Sequence, residues 1–172
     1  MNKTIENIES RRSIRKYRPE QIKKEELDAI LEAGTYAPNG RGMQKTILVA
    51  VQDKAVRDKI SKLNAAVMDS DADPFYGAPT VVVVFSDTER PTYIHDGSAV
   101  ICTLLDAAHS VGVGSCWIHR AKESFESAEG KALKKEWGIP DSYEGVGNCI
   151  LGYGDGDLPE AKPRREGRII IV

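Results

Sequence analysis

The sequence predicts an α+β fold, and three observations predict it. Residues 46–51, 80–85, 113–119 and 146–153 are rich in β-branched and other apolar side chains, and helical patterns separate them. Those helical patterns are sometimes consecutive, as at 4–12 and 24–33, so the chain is not a regular βαβ array. Four successive valines, Val81 to Val84, make the strand at 80–85 one that is buried on both faces.

Each element has its own signal. Thr4 is placed to cap a first helix, with Glu6 and Glu9 near its start and Ile5 and Ile8 on one face. That helix ends near Arg12, because Pro19 keeps Arg18 out of helical geometry and residues 13–18 read as an extended strip. A second helix over about 24–33 carries Leu27, Ile30 and Leu31 and stops at Gly34. Residues 35–44 form a loop by their Pro, Asn and two Gly. After the strand at 46–51, Asp53 caps a helix whose apolar face is Val56, Ile60, Leu63 and Val67.

The acidic segment 69–77 breaks helix and holds two aromatics, Phe75 and Tyr76, with no periodic partner. They either tuck onto the core or face a ligand. The longest helix spans about 94–111, its broad stripe made by Val100, Ile101, Leu104, Leu105 and Ala108. A helix over 125–136 stops at Gly138 and Pro140, and a turn at 154–159 follows the last long strand. The closing β-run 168–172 is too short and apolar to stand alone, so it should pair with a sheet edge in its own subunit or a partner.

At 172 residues the chain reads as one domain, over residues 1–172, with an ordinary soluble composition of 41% hydrophobic and 29% charged residues. A net charge of -2 argues against a dedicated nucleic-acid binder. Charge is uneven, however: residues 1–24 hold eight Lys/Arg against three Glu, and residues 162–168 hold four against one. Cys102, Cys116 and Cys149 share no motif spacing and read as reduced core thiols. No apolar run reaches membrane-span length and no signal-peptide core appears, which points to a cytoplasmic protein.

The stretch Arg11-Arg12-Ser13-Ile14-Arg15-Lys16-Tyr17-Arg18 packs five positive charges and a hydroxyl into eight residues. Guanidinium groups bind phosphate oxygens through paired, charge-assisted hydrogen bonds, so the octamer suits a small dianion; a solvated basic surface is the plainer reading. His95, His109 and His119 share no ligand spacing, so no metal site is expected. Neither a nucleophile elbow, a dinucleotide-binding glycine fingerprint nor a Walker loop occurs. No side chain stands out as a catalyst, which favours a bound cofactor that brings its own chemistry.

Arg11 to Tyr17 after a short helix resembles the opening of the FMN-dependent nitroreductase family, and later segments recur in that family's order. They are Ala37-Pro38-Asn39-Gly40, Ala78-Pro79 before a valine strand, the run from Gly112 to Ile118, Gly152-Tyr153 and Pro163-Arg164-Arg165. The resemblance implies a mostly antiparallel central sheet flanked by helices, and a homodimer with one FMN in each of two interfacial clefts. It also implies a C-terminal strand exchanged with the partner. Arg11, Arg12, Ser13 and Arg15 would hold the FMN phosphate and ribityl chain, with Arg164 and Arg165 closing on the phosphate. A phosphate carrying about -1.5 to -2 charges needs more than one guanidinium. Pro38, Asn39 and Gly40 would pack on the flavin from the opposite subunit. Trp117, Ile118, His119 and Arg120 would pass the flavin edge, where a backbone N–H of His119 or Arg120 reaches N5.

The activity so implied is ping-pong hydride transfer through flavin N5, from NADH or NADPH to a small planar acceptor such as a nitroaromatic, a quinone or an enone. No protein acid or base is obligatory for it. The protein contributes positioning, positive charge and N–H donors. Tyr36, Arg41, Phe75 and Tyr76 are candidates for lining the open face, where aromatic rings would sandwich the acceptor. The sequence departs from the family at Asn39, Gly42 and Gln44-Lys45-Thr46, where Pro and Trp are common, and at Thr103 and His119. Those departures bear on the substrate rather than the phosphate end. A flavin- or phospholigand-binding module without turnover is the alternative, and an interaction or RNA-binding domain using the basic strip is a third.

Overall fold

The computed structural model describes residues 2–172. Helix α1 (Lys3–Ser10) begins at Asn2, whose side chain accepts the Thr4 N–H at 2.9 Å, so the cap lies two residues before the expected Thr4. Helix α2 (Lys24–Thr35) runs through Gly34 instead of stopping there. A Cβ on Gly34 would lie 2.7 Å from Leu104 Cδ2, so this glycine lets two helices approach rather than ending one.

Strand β1 (Thr46–Val51) leads into α3 (Lys54–Ala66), capped by the Asp53 carboxylate on the Val56 N–H at 2.9 Å as expected. Strand β2 (Thr80–Asp87) is buried at all eight positions, and α4 (Tyr93–Ser110) follows it. Strand β3 (Gly114–Ile118) precedes α5 (Ala121–Glu126) and α6 (Ala128–Glu136), and β4 (Tyr143–Gly152) closes the ordered elements. The single helix expected over 125–136 is two. Ser127 is extended (φ -62°, ψ 159°) and its hydroxyl accepts the Gly130 N–H at 3.0 Å, starting a new helix. A Cβ on Gly130 would meet the Ser124 carbonyl at 2.2 Å, so only glycine lets α6 fold back on α5.

The four strands form one sheet in the order β1-β2-β4-β3, every pair antiparallel. Alternate residues of β2 feed two cores. Val82 and Val84 pack with Ile101, Leu104 and Leu151 beneath α4 and α2, while Val81, Val83 and Phe85 pack with Ile60, Phe125 and Ile150 beneath α3, α5 and α6. Burying each such side chain contributes about 1.5–3 kcal/mol. Cys149 and Cys116 lie one in each core, but Cys102 is exposed on α4, correcting its reading as a core thiol.

The C-terminal run is not a strand in this protomer. Ile169, Ile170, Ile171 and Val172 are 82% exposed or more and pair with no edge of their own sheet. Of the two edges expected for the run, the chain's own does not receive it. No helix among the described residues is long and apolar enough to cross a membrane.

Candidate functional site

The basic strip is not a free surface run. Helix α1 is tied to the last turns of α4 by the Asn7 amide on the Asp106 carbonyl (2.9 Å), by Ser10 Oγ with His109 Nε2 (2.9 Å) and by Arg11 Nε near Asp106 (3.7 Å). The strip then runs beside β3. Ser13 forms a parallel bridge with Ser115, and the Ile14 N–H donates to the Ser115 carbonyl at 2.9 Å. Tyr17 bridges Gly154 and donates its hydroxyl to the Ile14 carbonyl at 2.8 Å, while the Arg18 N–H reaches the Tyr153 carbonyl. A Cβ on Gly152 would stand 2.9 Å from the Tyr17 ring, so the strip lies directly over this glycine.

A groove of about 530 Å³ opens here, lined by Arg12, Ser13, Arg15, Lys16, His109 and Ser115 among others. Arg12 Nη1 is occupied by the Glu9 and Arg11 carbonyls at 2.7 and 2.8 Å. Two polar atoms at this end are buried with no protein partner, Arg11 Nη1 and the Ser115 hydroxyl. Burial, and then the Arg11 charge, hold the His109 imidazole below its ordinary pKa. Local positive charge therefore rests on guanidinium and ammonium groups. The other predicted arginines do not join them in this protomer. Arg164 donates Nε and Nη2 to the Lys162 carbonyl, and neither it nor Arg165 bonds to the strip.

The loop with Pro38, Asn39 and Gly40 sits at the opposite end of α4. Asp96, buried in the first turn of that helix, accepts the Gly40 N–H at 3.0 Å and the Thr92 hydroxyl at 3.1 Å. Asn39 Oδ1 accepts the Gln44 N–H at 2.9 Å, which fixes the turn through Arg41, a residue at φ 58°. Asp106 and Asp96 are ten residues apart on one helix, about 15 Å along its axis at 1.5 Å per residue. The strip and the loop thus lie at opposite ends of α4. Asp96 was missed in the sequence, although an acid in a helix's first turn is a recognisable anchor for neighbouring N–H groups.

Trp117, Ile118, His119 and Arg120 form the end of β3 and the turn into α5. Trp117 Nε1 lies 2.4 Å from where a Cβ on Gly147 would be, so that glycine makes room for the indole. Asn64 of α3 donates to the His119 carbonyl at 2.7 Å and accepts from Arg120 Nε at 3.2 Å. Asn148 of β4 donates to the Ile118 and His119 carbonyls at 3.3 and 3.5 Å. Both amides escaped the sequence reading. Asn148 carried a signal, as a polar residue inside an apolar strand pattern needs a partner.

The candidates for an open face divide. Tyr36 is 79% exposed, and Arg41 and Tyr76 also reach the surface. Phe75 is a correction: it is fully buried in the core beneath α3, with the Arg57 guanidinium 5.4 Å over its ring. Arg57 itself is held by Asp73 at 2.7 Å, so the Phe75 ring packs beneath an ion pair and does not line an open face.

The sequence model of the nitroreductase family matches residues 8–154. The chain belongs to the nitroreductase family. A nitroreductase of Bacteroides fragilis, whose crystal structure contains bound FMN, superposes at a TM-score of 0.92 with 31% identity, covering 100% of both chains. A nitroreductase of Desulfitobacterium hafniense with bound FMN gives 0.89 at 26% identity over 100% of this chain and 99% of that one. An NADPH-flavin oxidoreductase of Vibrio harveyi is 27% identical over 183 residues, spanning 99% of this chain and 73% of its own. The nitroreductase match takes in the basic strip, the α4 anchor loop and the β3–α5 turn; the tail with Arg164 and Arg165 lies beyond it.

Proposed function

We propose that this nitroreductase-family chain is an FMN-dependent oxidoreductase that uses NAD(P)H to reduce a small planar acceptor, working as a homodimer. The observation that carries the reading is the full-length likeness to an FMN-containing nitroreductase. FMN fits the residues present. The Arg11 side chain is partly buried and its Nη1 is unpartnered, beside a groove bearing Arg15, Lys16 and the unpartnered Ser115 hydroxyl. A dianionic phosphate supplies the acceptors such groups lack. Arg11, Arg12, Ser13 and Arg15 hold the phosphate and ribityl chain; Arg164 and Arg165, apart from the strip in this protomer, close on the phosphate in the dimer.

A second copy accounts for features that a single protomer leaves open. The loop of Pro38, Asn39 and Gly40 is anchored at the other end of α4 from its own basic strip, and in the proposed dimer the loop of the opposite subunit packs on the flavin that the strip holds. The apolar tail gains strand hydrogen bonds and burial only on another chain. Ile5 and Ile8, 48% and 55% exposed on α1, add to that apolar surface.

FMN, when bound, supplies the two-electron chemistry. The chain's residues bind its phosphate, present N–H groups from the turn at His119 and Arg120, and exclude water where the subunits close. Tyr36, Arg41 and Tyr76 line the acceptor side, exposed in the isolated protomer. Nicotinamide and acceptor use the same face in turn. The test is spectroscopic: protein purified with FMN should be yellow, release flavin on denaturation and bleach with NAD(P)H under anaerobic conditions. Yellow protein that NAD(P)H fails to bleach would favour a binding module without turnover.

A further inference from the structure

We infer that Asn64 and Asn148 are positioning residues that fix the β3–α5 turn and so aim the His119 and Arg120 N–H groups at the FMN ring. The inference deepens the reading above and rests on it. Both side chains are fully buried, and they come from different elements, α3 and β4. Their amide nitrogens converge on two consecutive carbonyls. The His119 carbonyl takes Asn64 at 2.7 Å and Asn148 at 3.5 Å, and the Ile118 carbonyl takes Asn148 at 3.3 Å.

The consequence follows from the planarity of the peptide unit. In a trans peptide the C=O and the next N–H point in opposite directions, and no cis bond occurs among the described residues. Carbonyls drawn in toward the two amides therefore turn the following N–H groups, those of His119 and Arg120, away from them. Neither N–H donates to any group of the protein among the described residues. Arg120 is held at φ 71°, a left-handed conformation that costs a non-glycine residue free energy. Asn64 Oδ1 on Arg120 Nε, at 3.2 Å, and the Ser124 hydroxyl on the Arg120 carbonyl, at 2.7 Å, hold it there.

Asn148 argues against a purely structural role. Its strand neighbours Val83 and Ile118 are apolar core residues, and its Oδ1 is buried without a partner. An unsatisfied buried acceptor destabilises the fold, a cost that a leucine of similar size would avoid. The opposite amide orientation is excluded, because it would set Oδ1 against two carbonyl oxygens. Retaining an asparagine here thus burdens the fold while fixing the turn, as expected at a functional site.

Asn148→Leu and Asn64→Leu, each in the FMN-loaded protein, separate the two roles. Oxidised N5 offers a lone pair to an N–H donor, whereas reduced N5 carries its own hydrogen. Loosening the turn should weaken binding of oxidised FMN about tenfold more than of reduced FMN, raising the flavin midpoint potential by about 30 mV. Asn148→Leu should do so with a thermal midpoint equal to or above the parent's. Ile60→Val, a core change on α3, serves as the control and should lower the thermal midpoint without moving the potential. FMN bound at an unchanged potential in both Asn variants would overturn the inference. Failure of the unsubstituted protein to bind FMN at all would instead overturn the cofactor assignment. If Asn64→Leu does not fold, Asn148→Leu alone decides.

Discussion

Arg11 illustrates how one side chain would link the fold to the proposed FMN phosphate. Its backbone N–H closes α1 on the Asn7 carbonyl, its Nε faces Asp106, and its Nη1 is buried with nothing to donate to. An ionised donor left so is costly, and an anion removes the cost. Arg11→Ala and Arg164→Ala are each expected to lower FMN affinity by about 1.5–3 kcal/mol, roughly 10- to 150-fold, read by flavin fluorescence titration. Unchanged retention of FMN in both would contradict the placement of the phosphate. Phe75 and Asn148 show the limits of a residue read alone. An aromatic in an acidic loop looks available to a ligand until its burial is known, and an asparagine in a strand says nothing of which carbonyls it will find.

Elements were legible wherever a local signal had no rival. Strand β1 and the Asp53 cap of α3 stand where periodicity and capping chemistry put them. Boundaries failed where a neighbour decided them. Gly34 sits inside α2 because α4 needs the space, and Ser127 divides a predicted helix because its hydroxyl serves as a new cap. The segment 69–77 was rightly read as non-helical, but its organiser is Asp73. Burial pushes that carboxyl up, yet hydrogen bonds from Arg57, Ser61 and the Gly77 and Phe75 N–H groups outweigh it and hold the pKa below 3.8. A carboxylate depressed in the folded state stabilises it above the unfolded pKa, and the contribution is lost as pH falls through the folded one. Thermal midpoints should therefore drop below about pH 3.8 in the parent. Asp73→Asn should be less stable at neutral pH and lose less of its stability on acidification. Equal acid sensitivity in the two proteins would remove Asp73 as the organiser.

At the scale of the whole molecule, the tail and the two separated ligand groups belong to one argument. Four apolar residues exposed at the C-terminus of a chain with net charge -2 are a liability unless another surface covers them. On the proposed dimer, removing residues 168–172 is expected to shift the protein to monomer in light scattering and to weaken FMN binding in parallel. A truncated protein that stays dimeric and yellow would dissociate the tail from both.

The sequence by itself determined the α+β class, the strands with their buried valines, the basic strip and the family resemblance. Each is a local or ordered pattern that survives without knowledge of distant neighbours. Only the tertiary structure decided that the strip lies along β3, that the loop of Asn39 sits at the far end of α4, and that two buried amides grip the turn at His119. Those facts depend on which groups the sheet order brings within hydrogen-bond reach, and no spacing along the chain encodes that reach directly.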